Sequence, residues 1–125
     1  MPADRESINP PDLFDGRPLG ISQAIRVGDT VYCSGQVAFA ETLEEQAEGA
    51  FANAQTLLAA ASAKMADVVK MTIYTTDPDC WPKTAAVRAR YFTEPFPAAT
   101  MVVVRALASP ALMIEVDLTA VVGSR

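Results

Sequence analysis

Apolar residues recur along this chain in two rhythms, and the change from one to the other marks out its elements. From Glu41 to Lys64 they fall at Leu43, Ala47, Ala50, Phe51, Ala54, Leu57, Leu58 and Ala61. That three-and-four spacing defines one face of a helix, with Glu44, Glu45, Glu48 and Gln55 largely on the other. The early glutamates also suit the positive end of a helix dipole. A shorter helix is predicted over Thr84 to Phe92, with Ala85, Val87 or Ala89, and Phe92 as packing positions; Pro95 and Pro97 end it.

Elsewhere the period is two. Val68 to Thr76 is rich in β-branched residues and stops at Asp77-Pro78-Asp79. Thr100 to Arg105 and Leu112 to Val122 form the last two strands. In the second of these, Leu112, Ile114, Val116, Leu118, Ala120 and Val122 alternate with Met113, Glu115, Asp117, Thr119 and Val121. Ile21 to Val37 holds two short strands around Gly28-Asp29, where glycine supplies positive φ. Residues 1–18, rich in Pro, Asp and Gly, read as an irregular arm, which leaves 19–125 as one domain. The order ββαβαββ is an α+β arrangement, a mixed sheet with two helices on one face. The other face is expected to carry Met71 or its neighbours, Met101, Val103, Met113 and Val121. Association between copies would bury that apolar excess.

Composition narrows the function. A chain of 125 residues has room for one core. It contains no histidine, which excludes histidine-based acid–base catalysis and the usual zinc sites. Cys33 and Cys80 have no metal-ligand spacing and form no disulfide framework; they read as small apolar residues in a reducing cytoplasm. A net charge of −5 with scattered basic residues argues against nucleic-acid binding. Met1 to Glu6 shows no signal-peptide pattern, and no apolar stretch is long enough to span a bilayer.

Four segments, in order, carry a resemblance. Ser22-Gln23-Ala24 leads through Arg26-Val27-Gly28-Asp29 to Val31-Tyr32-Cys33-Ser34-Gly35-Gln36. Glu44-Glu45-Gln46 opens the long helix, and Asp67 to Asp77 forms the central strand. Phe96-Pro97-Ala98-Ala99-Thr100 then precedes Met101 to Arg105 and Met113-Ile114-Glu115-Val116-Asp117. Together they resemble the RidA/YjgF family of reactive-intermediate deaminases, also called L-PSP endoribonucleases. The resemblance implies a chorismate-mutase-like fold, a homotrimer, an inter-subunit cleft for a small metabolite, and no cofactor.

Carried over by position, the resemblance makes Glu115 the glutamate that positions the hydrolytic water. Ser34 and Gly35 match the Ser-Gly pair that borders the substrate. Two positions depart from the pattern. Ile21 stands in place of a tyrosine, and Ala99 in place of the arginine that grips the substrate carboxylate. A guanidinium suits that task because its donors match a planar carboxylate in pairs. Arg105 lies too far along its strand to substitute, whereas Arg88, on the second helix near the family's pocket, is better placed. Tyr74, Tyr91 and Trp81 read first as packing residues. The resulting expectation is a hydrolase acting on a small imine, enamine or related reactive metabolite other than the usual 2-imino acids. The alternative is a trimer that binds a metabolite without turnover. Ribonuclease or translation-inhibitor activity gains nothing from this composition.

Overall fold

The computed structural model describes residues 4–124. Six strands form one sheet: β1 (Arg5–Ile8), β2 (Ala24–Val27), β3 (Thr30–Cys33), β4 (Val68–Thr75), β5 (Ala98–Val103) and β6 (Ile114–Val121), in the order β1-β2-β3-β6-β4-β5. Only β4 and β5 run parallel. Three helices, α1 (Leu43–Ala60), α2 (Cys80–Lys83) and α3 (Ala85–Tyr91), complete the α+β fold. The β2–β3 hairpin turns on Gly28 at φ 59°, the glycine-first geometry that matches strand twist.

The helix α1 is fixed at both ends by backbone chemistry. Thr42 and Glu45 form a reciprocal capping box, each side chain accepting from the other's N–H at 3.1 and 3.2 Å. At the far end Ser62 takes φ 61°, so that Ala63 N–H reaches Leu58 O (2.8 Å) and Ser62 N–H reaches Ala59 O (3.0 Å). This left-handed residue ends the helix before Lys64, the predicted limit. The apolar stripe of α1 lies on β6, whose Ile114, Val116, Leu118 and Ala120 are fully buried, as the alternation predicts. Phe51 anchors α3, with its ring 5.5 Å from Tyr91 and 5.6 Å, edge-on, from Phe92.

Three expectations need correction. Residues 1–3 of the expected irregular arm lie outside the described residues, but Arg5–Ile8 is not irregular: it pairs with β2 from Arg5↔Val27 to Ile8↔Ala24. Met71, Met101 and Val103 are not on the open face. Met71 is buried in the core, and the parallel register Met71↔Ala99, Ile73↔Met101 and Thr75↔Val103 puts Ala99, Met101 and Val103 on the helix side with it. The open face instead presents Thr72, Tyr74, Glu115, Asp117, Thr119 and Tyr32 across adjacent strands, and is more polar than expected. Finally, only Val87 and Phe92 of the α3 packing set are buried; Ala85 and Ala89 are exposed at the mouth of a cavity.

Candidate functional site

Glu115 projects from β6 onto the open face, opposite Tyr74 of β4. Its carboxylate lies directly over Gly35, so closely that a Cβ at residue 35 would overlap it. Glu115 accepts no hydrogen bond from the described residues. Partial burial raises its pKa above the ordinary glutamate value, and the nearby Asp117 charge raises it further. Asp117 is raised by burial as well.

The backbone beneath this carboxylate is held by buried amides. Gln36 pairs with Val116 through both backbone groups, at 2.8 and 3.0 Å, which joins the loop after β3 to β6. Its side chain donates to Gln23 Oε1 at 2.8 Å and to Ser34 O at 3.1 Å, and Gln23 in turn donates to Phe14 O at 2.6 Å. Ser34 is occupied throughout: its N–H donates to Gln23 O and its hydroxyl to Ser22 O, both at 2.7 Å. Its hydroxyl therefore positions the loop. The Gly35 N–H, by contrast, donates to no described residue, leaving a free donor beside Glu115. Ile21, next to Ser22, is 47% exposed and brings an apolar side chain to the same end of the sheet.

A second feature lies on the helix side. A cavity of about 310 Å³ is walled by Met71, Trp81, Arg88, Phe92, Phe96 and Ala99, among others. Arg88 stacks on Trp81, with its guanidinium carbon 3.6 Å from the ring centre. Its Nη1 donates to Thr84 Oγ1 at 2.6 Å, and buried Thr84 donates onward to Cys80 O at 2.8 Å. Burial lowers the Arg88 pKa, yet a guanidinium keeps its charge.

Of the residues singled out from sequence, the fold joins Glu115, Ser34, Gly35 and the neighbouring Ile21 at one place, and Arg88 with Ala99 at another. It does not join the two groups within one chain. Tyr74 opposes both Glu115 and Val102, so Ala99 lies three residues along and two strands across from Glu115. That is about 10 Å in each direction, on the opposite face. Arg105 follows β5, exposed and away from the cavity. Tyr91 is a packing residue whose hydroxyl donates to Glu48 Oε1 at 2.8 Å. Trp81 is not only packing: it floors the cavity. Phe96 also lines it and is legible only as part of the Phe-Pro-Ala run, while nothing in Ser22-Gln23-Ala24 or Ser34-Gly35-Gln36 signals that Gln23 and Gln36 meet.

Among the described residues no group of three or more His, Cys, Asp or Glu could hold a metal, and no helix is long and apolar enough to cross a membrane. Burial pushes the Cys33 thiol up to about 12, with the Asp117 charge adding to the effect, so it is an unreactive thiol.

Comparison with known proteins gives consistent matches. The family model described as endoribonuclease L-PSP matches residues 19–122. A 2-iminobutanoate/2-iminopropanoate deaminase of Dermatophagoides farinae is 36% identical over 95 residues, covering 69% of this chain and 74% of that protein. Among solved structures, Rv2704 of Mycobacterium tuberculosis, a member of the YjgF/YER057c/UK114 family, superposes with a TM-score of 0.87. It is 31% identical and covers 95% of this chain and all of that one. RidA of an Antarctic Psychrobacter species gives a TM-score of 0.78 at 33% identity, covering 82% and 88%.

Proposed function

This chain belongs to the endoribonuclease L-PSP family, the RidA/YjgF proteins, and from that premise we propose that it hydrolyses a small imine or enamine in a cleft completed by a second copy of itself. The observation that carries the reading is the Glu115 carboxylate poised over Gly35, unpaired and with a raised pKa. Raising that pKa makes Glu115 a better general base near neutral pH. Glu115 takes a proton from water as the oxygen bonds to the imine carbon. The C=N pair passes to nitrogen, which receives the proton, and the resulting carbinolamine releases ammonia and leaves a carbonyl. The free Gly35 N–H would donate to the substrate in this reading.

Because Glu115 and the Arg88 cavity occupy opposite faces of the sheet, a neighbouring protomer of a homotrimer has to bring the second wall. Ala99 supplies no carboxylate clamp of its own and leaves Arg88 as the cavity's guanidinium, so the usual short 2-imino acids are poor substrates. Two buried thiols fit a reducing cytoplasm, and the charge of −5 gives no electrostatic footprint for RNA. The test is ammonia release from freshly generated imines. Glu115→Gln should lower the rate by about 100-fold or more; an undiminished rate would reject the assignment.

A second reading has its own support. Ile21 and Ala99 are both apolar and exposed where the resemblance implies polar groups, which suits a metabolite-binding trimer without turnover. Ligand-dependent thermal stabilisation with no ammonia released from any imine would favour it.

A further inference from the structure

Among the described residues, the one cation lining the Ala99 cavity is fixed but unpaired. Arg88 is held between Trp81 and Thr84, and it makes no ion pair with the described residues. The neighbouring cations do: Lys83 pairs with Asp77, and Arg90 with Glu48. A guanidinium oriented on a ring and a buried hydroxyl loses little further freedom when it meets an anion. The walls around it are largely carbon, from Met71, Phe92, Phe96, Pro97 and Ala99. Ala99 is also what keeps this space open. An arginine there would share Met71's side of the sheet, fill the cavity and repel Arg88.

We propose that this cavity binds 2-oxo or 2-imino acids with branched or aromatic side chains, Arg88 taking the carboxylate and the apolar body occupying the room left by Ala99. The inference rests on the imine reading for the reacting group, though not for the anion or its bulk. A four-carbon acid would leave most of an apolar space to water, whereas a branched or aryl side chain displaces it.

Trp81 is the chain's only tryptophan, so its fluorescence reports on this cavity alone. The intact protein is titrated with 4-methyl-2-oxopentanoate, 2-oxobutanoate and the uncharged ketone 4-methyl-2-pentanone. The branched oxo acid should bind at least tenfold more tightly than 2-oxobutanoate. Arg88→Gln should weaken the branched acid at least tenfold while leaving the ketone unchanged. Ala99→Leu, an exposed edge-strand change that keeps the charge, should weaken the branched acid and spare 2-oxobutanoate. Equal affinity for the two acids, or indifference to both substitutions, overturns the inference. Arg88-dependent binding without ammonia release from any imine leaves this inference standing and removes the hydrolase reading. Ammonia release undiminished by Arg88→Gln does the reverse.

Discussion

A methyl group added at Gly35 would overlap the Glu115 carboxyl group, and the atoms it meets belong to a movable side chain, not to backbone. Gly35→Ala should therefore swing Glu115 away while the sheet stays intact. Imine hydrolysis is expected to fall by about 10-fold or more for a displaced general base, with the melting temperature changed by no more than about 3 °C; equal loss of fold and activity would contradict it. The raised pKa values of Glu115 and Asp117 carry a second consequence. Their folded forms hold protons to higher pH than the unfolded chain does, so the stability they contribute is present below the ordinary carboxylate range. It is lost as pH rises through the raised values. Asp15, Glu48 and Asp77, lowered mainly by hydrogen bonds to Arg17, Arg90 and Lys83 respectively, act in the opposite sense and are common to wild type and variant. Glu115→Gln should raise the melting temperature at pH 7 by about 1–3 °C. That advantage should shrink as pH falls toward 4.5, and thermal melts at both pH values measure it. Such a gain on removing Glu115 is what the proposed site, if built at the expense of stability, would give.

The ends of α1 show what the sequence could and could not reveal about an element. The capping box Thr42–Glu45 sits where the acidic start marks it, and the apolar stripe is legible from spacing alone. The C-terminus was missed because the left-handed position is filled by Ser62, where glycine is the usual signal. Ser62→Gly should relieve that conformation and stabilise the protein by about 0.5–1 kcal/mol, net of the greater freedom of an unfolded glycine; no change in denaturant midpoint would mean that Ser62 is unstrained. Gln46 was hidden for a different reason. It lies inside the apolar stripe, fully buried, donating to Ala40 O and Ala111 O at 3.1 and 2.9 Å and accepting from Met113 N–H at 2.8 Å. A polar residue at a core spacing marks a buried network, but the carbonyls it serves are 6 and 65 residues away and leave no local pattern. The face assignment failed because Met71 opposes the buried Leu118 of β6, and the β4–β5 register carries that side on to Met101 and Val103. Alternation fixes which residues share a face, while only the pairing fixes which face meets the helices.

At the scale of the whole molecule, the resemblance carried the fold and ranked the residues, but residue order says nothing of which side of a sheet each occupies. Glu115 and Arg88 prove to be on opposite sides, so a site that uses both must take one from each of two protomers. This makes a test independent of any substrate preference. Glu115→Gln and Arg88→Gln variants, each inactive or nearly so alone, are unfolded together and refolded as a mixture. In a ring with cyclic symmetry, each junction pairs Glu115 of one protomer with Arg88 of the next. Random mixing gives an intact pair at about one junction in four. Activity should therefore recover to about a quarter of the wild-type level, while mixing either variant with itself recovers none. Recovery would tie the two half-sites to adjoining subunits. If the mixture stays as inactive as its parts, although light scattering shows the same assembly as wild type, the two residues do not serve one site. Glu115 would then act with partners from its own face, Tyr74, Thr72 and Asp117, and the Arg88 cavity would be a separate binding pocket.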